Sequence, residues 1–285
     1  PDVTGAIMRL NNMKDESNVG INLWANNSTI DFIVGDSSKQ ITDKKFADKK
    51  YQAIFNSRME QYGKHFADCV SMLFSIHYLF DNIKNISNLL NNVSSVLNKN
   101  GIFIVTTLDG PTVFNALKQS DKNIINGKVY DYKTSKYVDV WKIRADPGLD
   151  LSQSELPNSI DDGFNNNIHV TFESIGQEFK ESLVHPTLLI SLAASYGLEL
   201  VNHNVLHKNF NLFNHSTGMF NDIYKHYIKL NPDDADVKKL SSQINNELKE
   251  YSNMHRYYIF RRNPNTVIPY LTFDNSSDCK SFSNK

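Results

Sequence analysis

The chain has 285 residues, a formal net charge of −1, and 40% hydrophobic, 21% charged and 11% aromatic residues. That is enough to bury a core in one large domain or two small ones, and it excludes a stapled mini-protein or a disordered tail. Two cysteines, Cys69 and Cys279, exclude a disulfide framework or a four-cysteine metal site and make a reducing compartment the default, and no run approaches the roughly 18 to 20 uncharged apolar residues of a membrane span.

Residues 3–14 place Ile7, Leu10 and Met13 at helical spacing, and 29–35 is a short apolar run closed by Gly35-Asp36, so helix then strand is predicted. Residues 41–65, with Lys44, Lys45, Lys49 and Lys50 among aromatics, read as a helix, and 66–75 as a buried parallel strand. Residues 83–97 repeat Ile83, Ile86, Leu89, Leu90, Val93 and Val96 with a period near 3.6, an amphipathic helix stopped at Asn98–Gly101. Residues 102–107 are the next buried strand, completing a right-handed βαβ unit.

From 124 to 175 short alternating pieces (KVYDY, YVDVWKI, IHVTF) predict an inserted antiparallel region, with 145–167 a mobile, turn-rich loop. Residues 186–196 form a helix with Pro186 at its start and Gly197 at its end, and 198–206 a strand. Residues 219–252 are mostly helical, with a start signal at 232–236, and 254–260 is the last strand. The expectation is one α/β domain over 1–285, a doubly wound, mostly parallel sheet with an insertion at 124–175.

Two compositional features bear on function. The 35 asparagines fall in surface-like stretches and read as coding bias. The twelve glycines never stand two apart, so the G-x-G turn of a nucleotide loop is absent from these residues. With near-neutral charge, any nucleic-acid contact is expected to be local.

Asp36 and Ser37 close a predicted strand, the edge where open α/β sheets bind ligands, and a carboxylate there accepts from a ribose hydroxyl or an adenine amino group; a plain Asp-Ser turn is the alternative. His77 and Tyr78 follow the next strand and suit hydrogen bonding to and stacking on a heterocycle, or else a structural histidine. No cysteine or second histidine has ligand spacing to His77, so no metal is expected. Glu181 by itself reads as an exposed acid and the lysines at 44–50 as a solvated face, while His255 and Tyr257 alternate onto one side of the last strand.

Together these segments resemble the mRNA cap guanine-N7 methyltransferases, most closely the methyltransferase domain of capping enzymes from large cytoplasmic DNA viruses. The resemblance runs in order through Pro1–Ile7, DFIVGDSSK at 31–39, SMLFSIHYLF at 71–80, which is similar to a Q-F-x-x-H-Y-x-F signature, GIFIVTTLDG at 101–110, and E-x-L-V at Glu181. It implies a class I, Rossmann-like fold that transfers a methyl group from S-adenosylmethionine to guanine N7 of capped RNA, leaving S-adenosylhomocysteine, with no metal. It implies Asp36 and Ser37 at the adenine; Leu73, Phe74 and Tyr78 lining the cofactor pocket; His77 and Tyr78 facing the cap guanine; Glu181 on its Watson–Crick edge; and His255 or Tyr257 closing the cap pocket.

Leu73 stands where the family usually has Gln, which removes a side-chain contact to the cofactor. The family's first strand, glycine-rich turn and second-strand acid would lie upstream of Pro1, so the chain is expected to continue a longer polypeptide, with triphosphatase and guanylyltransferase domains, a stimulatory subunit and a cytoplasmic, membrane-free setting. The rival expectations are a methyltransferase for another substrate and a non-catalytic module that binds capped RNA.

Overall fold

A computed structural model describes residue 8, residues 31–41, 46, 48–202, 204–206, 213, 215–233, 235, 246–263 and 265–266. The predicted helix at 3–14, apart from Met8, and Lys44 and Lys45 lie outside the described residues, as does most of the segment 232–245.

The first helix, α1, is Lys49–Tyr62, shorter than predicted and capped by Asp48, whose side chain accepts from Lys50 N. Strand β1 (Ala67–Leu73), helix α2 (Ile83–Val96) and strand β2 (Leu97–Leu108) follow, with β1 parallel to β2 from Cys69↔Ile102 to Leu73↔Thr106. The predicted stop at Asn98–Gly101 is part of β2, where the register shifts and Asn100 has φ 76°. On the far side of β2 lies β9 (His255–Arg262), antiparallel from Ile102↔Arg261 to Leu108↔His255. The short β7 (Leu198–Leu200) and β8 (Thr217–Met219) pair end to end with the other edge of β9, both antiparallel. Strands β1, β2, β7 and β8 therefore share one direction and β9 alone opposes them, a mixed sheet with one parallel pairing among the described residues.

Hydrophobic periodicity explains the layers. Ile86, Leu89, Leu90 and Val93 of α2 and Leu188, Leu189, Leu192 and Ala193 of α4 (Pro186–Ser195) are buried against Phe103, Val105, Tyr258 and Phe260 of the sheet. Each such Ile, Leu, Val or Phe side chain contributes about 1.5–3 kcal/mol of transfer free energy. α2 starts where Asn82 accepts from Asn85 N at 3.0 Å.

Several expectations need correction. Residues 31–35 form only a bridge, Gly35↔Phe46, in place of a strand. A helix not predicted, α3 (Gly110–Gln119), starts at Asp109, whose side chain accepts from Thr112 N at 3.0 Å, with Pro111 in the first turn. Strand β7 ends at Leu200, and 204–206 is helical. The helical stretch 219–252 includes α5 (Phe220–Leu230) and α6 (Asn246–Asn253).

The antiparallel region is a four-stranded sheet in the order β3 (Ile124–Asp131), β4 (Lys136–Ala145), β5 (Asn167–Phe172), β6 (Glu178–Ser182). It runs past residue 175, because Glu178–Ser182 continues the alternation. The loop predicted to be mobile is pinned: Leu149 and Leu156 are buried, Asp146 accepts from Gly148 N at 3.0 Å and Asn165 N donates to Phe80 O. Among the described residues no helix is long and apolar enough to cross a membrane.

Candidate active site

The C-terminal end of β1 opens one wall of a cavity. Phe74, the residue after β1, has φ 54°, a left-handed conformation that costs a bulky residue roughly 1–2 kcal/mol. It is held there because its N–H donates to both Thr106 O (2.9 Å) and Thr106 Oγ1 (3.2 Å) on β2. The backbone reversal leaves the Phe74 ring half-exposed and leads into the 3₁₀ turn Ile76–Leu79, which buries His77 and leaves Tyr78 half-exposed. The rings of His77 and Tyr78 meet edge to face at 4.1 Å.

The opposite wall comes from the antiparallel sheet. Alternation along β5 and β6 puts Val170, Phe172, Phe179 and Glu181 on one face, with Val170 opposite Phe179 and Ile168 opposite Glu181. The third wall is the start of β9 and its neighbours: His255 packs against Phe74 at 5.2 Å, Tyr251 at 4.9 Å and Phe220 at 5.5 Å. Its Nδ1 lies 3.0 Å from Tyr251 O; a carbonyl can only accept, so Nδ1 carries the proton and Nε2 keeps its lone pair. The enclosed space is about 410 Å³.

The walls are mostly aromatic and the polar groups few, the usual character of a site for a flat heterocycle. Glu181 Oε2 lies 3.6 Å from His77 Nε2. Burial pushes the Glu181 carboxyl up to about 7, and burial, with a smaller contribution from His255, pushes His77 down to about 4. Burial also lowers His255. Among the described residues neither nitrogen of His77 has a hydrogen-bond partner.

A second cavity, about 320 Å³, lies beside Asp36 and Ser37 and is otherwise lined mainly by apolar side chains of α1, β1 and α2, among them Phe55, Val70, Leu89 and Val93. Asp36 Oδ1 accepts from Ser38 N (2.9 Å) and Ser38 Oγ (2.6 Å); the Ser38 hydroxyl bond, the largest influence, holds its pKa below the ordinary value. Two buried asparagines one helical turn apart fix this turn. Asn88 Nδ2 donates to Ser38 O (2.8 Å), Asn92 Nδ2 donates to Lys39 O (2.7 Å), and Asn92 Oδ1 accepts from Ile41 N (2.8 Å).

The mRNA (guanine-N(7))-methyltransferase domain family matches residues 24–263. The chain belongs to this family. Among curated proteins, a "Probable mRNA-capping enzyme" of Acanthamoeba polyphaga mimivirus is 24% identical over 226 residues, covering 68% of this chain and 17% of that protein; the chain thus spans about a sixth of the length of the relative it matches. Solved structures with similarity include the CcbJ methyltransferase of Streptomyces caelestis (14% identity, TM-score 0.33, 69% of this chain and 61% of that one). Another is a putative S-adenosylmethionine-dependent methyltransferase of Listeria monocytogenes (11%, 0.33, 70% and 63%). Both likenesses are remote.

In this member of the mRNA (guanine-N(7))-methyltransferase domain family, the first cavity brings together His77, Tyr78, Glu181, His255 and Phe74. Tyr257 does not join them. Its ring packs with Val201, Leu206, Ile259 and Phe213, and its hydroxyl donates to His215 O at 3.0 Å. Of the residues expected at the cofactor, Phe74 and Tyr78 line the first cavity and Asp36 and Ser37 the second, while Leu73 points to solvent and lines neither. The sequence reading missed Phe172, Phe179, Phe220 and Tyr251. Phe179 was accessible through its two-residue spacing from Glu181; Tyr251 and Phe220 reach the cavity only through tertiary packing.

Proposed function

We propose that this domain transfers the methyl group of S-adenosylmethionine to N7 of the guanine cap of mRNA. One observation carries the reading: a single carboxylate, Glu181, and the rings of Phe74, Tyr78, His77 and His255 converge on one aromatic cavity. A guanine edge offers N1–H and N2–H donors side by side, which a carboxylate accepts as a charge-assisted pair. The surrounding rings hold the purine by its faces and edges. Adenine lacks that donor pair and would leave the buried carboxylate unsatisfied.

The groups at hand also fit a sulfonium cofactor in part. Phe74 and Tyr78 give apolar surface beside the guanine site, and the Asp36 carboxylate, with one oxygen engaged by Ser38, retains acceptor capacity for an adenine amino group or a ribose hydroxyl. Bound S-adenosylmethionine supplies an electrophilic methyl group. Guanine N7 has a lone pair and no proton, so these residues need not remove one. Their work is to hold N7 in line and to accommodate the positive charge that arrives on the purine. Two buried, neutral histidines add no opposing charge, and an ionised Glu181 offsets it. In this reading the substrate is capped RNA, the product S-adenosylhomocysteine, and no metal takes part; further capping domains in the same polypeptide and a stimulatory subunit belong to the same proposal.

The test is methyl transfer from labelled S-adenosylmethionine to RNA capped with GpppA against the same RNA capped with ApppA, with the product digested and 7-methylguanosine identified by mass. Transfer to the G-cap alone is expected. Equal transfer to both, or methylation at another atom, overturns the assignment.

A further inference from the structure

We infer that the β3–β4 hairpin is a stacking platform for the single-stranded RNA that follows the cap, an inference that rests on the capped-RNA reading above. At its end, Tyr130, Tyr132 and Tyr137 are 38%, 88% and 70% exposed, yet their rings touch: Tyr130 meets Tyr132 at 5.1 Å and Tyr137 at 5.3 Å, both edge to face. Tyr130 and Tyr137 face each other in the ladder, and such a cross-strand pair stabilises a hairpin. That does not account for Tyr132, which lies beyond the last pair and covers no core.

The chemistry of the patch selects its partner. The valines nearest the tip, Val129 and Val138, are half-buried, and the exposed side chains from Tyr132 to Tyr137 are aromatic and polar, without the aliphatic surface of a protein interface core. Lys133 and Lys136 are exposed at the same tip, and Lys128, two residues before Tyr130, is exposed and lies 3.9 Å from Asp139. Aromatic faces interleaved with ammonium groups suit nucleobases and phosphates and tolerate any sequence.

Topology puts the patch near the cap cavity. β4 pairs with β5 so that Trp141 lies opposite Phe172, the last residue of β5 and part of the cavity wall. The five residues from Trp141 back to Lys136 carry the hairpin about 15 Å further in the same direction. The turn between β5 and β6, with Ile175 exposed at the cavity rim, is at that same end of the sheet. An RNA chain leaving the cavity over this turn meets the hairpin within its first nucleotides.

The test uses the full chain in two assays: fluorescence anisotropy with an uncapped RNA of about ten nucleotides, and methyl-transfer kinetics on GpppA and on the same RNA carrying that cap. Tyr132→Leu and Tyr132→Leu/Tyr137→Leu are expected to weaken RNA binding by about tenfold or more and to raise KM for capped RNA in parallel, with kinetics on GpppA unchanged. Tyr132→Phe/Tyr137→Phe, which keeps the rings, is expected to bind RNA like the wild type. Since Tyr132 lies outside the ladder, its single replacement should leave the melting temperature unmoved. Equal RNA affinity of the Leu variants and the wild type overturns the proposal, as does a Phe variant as weak as the Leu variants. Self-association in sedimentation that Tyr132→Leu abolishes with RNA affinity untouched assigns the patch to a second copy and also overturns it. If the wild type fails to methylate GpppA the cap reading falls, while the anisotropy series still decides the hairpin.

Discussion

His77 Nε2 and Glu181 Oε2 face each other at 3.6 Å across the aromatic cavity, too far for a good hydrogen bond. Neither side chain is more than 12% exposed, and burial favours the neutral form of both. In the proposed cap complex, a guanine edge would pair with Glu181 only after the carboxyl has lost its proton.

That requirement sets the pH dependence. With Glu181 at about 7 in the free protein, cap affinity is expected to rise as pH increases through about 7 and then to level off, because binding needs the carboxylate. Glu181→Gln removes the titrating group, flattens this limb and presents an amide N–H₂ to a donor edge. Cap binding should fall by about 100-fold, the loss of two charge-assisted bonds at 1.5–3 kcal/mol each, partly recovered by the amide oxygen. Calorimetry with GpppA between about pH 5.5 and 8.5 measures both effects, and a wild-type profile flat across that range argues against Glu181 as the guanine acceptor.

The same group links pH to folding. Glu181 titrates near 4.5 when unfolded and at about 7 when folded. Its raised folded pKa makes a contribution fully present below 4.5 and lost as pH rises through 7, on the order of 3 kcal/mol. Glu181→Gln is therefore expected to match the wild type below about pH 4.5 and to exceed its stability above about pH 7. His77 has the opposite sign: depressed from 6.5 to about 4, it supports the fold above 6.5 and withdraws that support as pH falls through 4. Urea denaturation of the wild type, Glu181→Gln and His77→Gln along a pH series separates the two.

His255 and Tyr257 stand two residues apart on β9, yet they do different work. His255 lines the cavity, whereas Tyr257 fills a separate core cluster and is 3% exposed. Tyr257→Ala should cost about 3–5 kcal/mol of stability by emptying a buried aromatic site. His255→Ala should cost less stability and lower kcat/KM for GpppA about tenfold or more, the loss of one wall of the stack. Melting temperatures with initial rates distinguish them, and the reverse pattern would shift the cap-stacking role to Tyr257.

Much of the architecture was legible because periodicity reports burial. The 3.6-residue spacing of Ile83–Val96 and the continuous apolar run of Ala67–Leu73 made the first strand and the helix of the βαβ unit legible to within one or two residues, while the second strand starts at Leu97, five residues before the predicted 102. Glu181 was legible as a position but not as an environment, since it is buried beside residues more than 100 positions away, such as His77 and Phe74. The opposite failure occurred at Asn88 and Asn92. Polar residues on a helix read as solvent-facing, and only the tertiary structure reveals that both are buried with their amides spent on residues 38–41. Helix α3 was missed because Asp109-Gly-Pro looks like a turn, while in the fold Asp109 is its cap.

Asp109 has a second task. Its Oδ2 accepts from Arg256 Nε at 2.5 Å, and its N–H donates to Met254 O at 2.8 Å, so one residue joins the end of β2 to the start of β9 beside His255. The carboxylate is almost fully buried and Arg256 is about three-quarters buried. Asp109→Ala strips the cap and strands a guanidinium, which is expected to cost about 3–5 kcal/mol. Asp109→Asn keeps the cap and loses only the charge, so it should be less damaging. Chemical denaturation of the two variants checks the order: equal losses would mean that the cap contributes nothing beyond the ion pair, and an Asp109→Asn variant as stable as the wild type would mean that the charge contributes nothing beyond the cap.

Asn92 offers the cleanest separation of cofactor from cap. Its amide holds Lys39 O and Ile41 N at 2.7 and 2.8 Å, fixing the turn that carries Asp36 and Ser37, and it lies outside the cavity that holds Glu181. Asn92→Ala leaves those backbone groups unpartnered at a cost of about 1–3 kcal/mol and frees the turn. If Asp36 and Ser37 meet the adenine, S-adenosylhomocysteine affinity should drop by about tenfold while GpppA affinity stays within about twofold, because the two cavities share no lining residue. Calorimetry with each ligand reads the split directly. Parallel loss of both affinities would signal global loosening, and unchanged S-adenosylhomocysteine binding in a folded variant would remove the turn at Asp36 from the cofactor site.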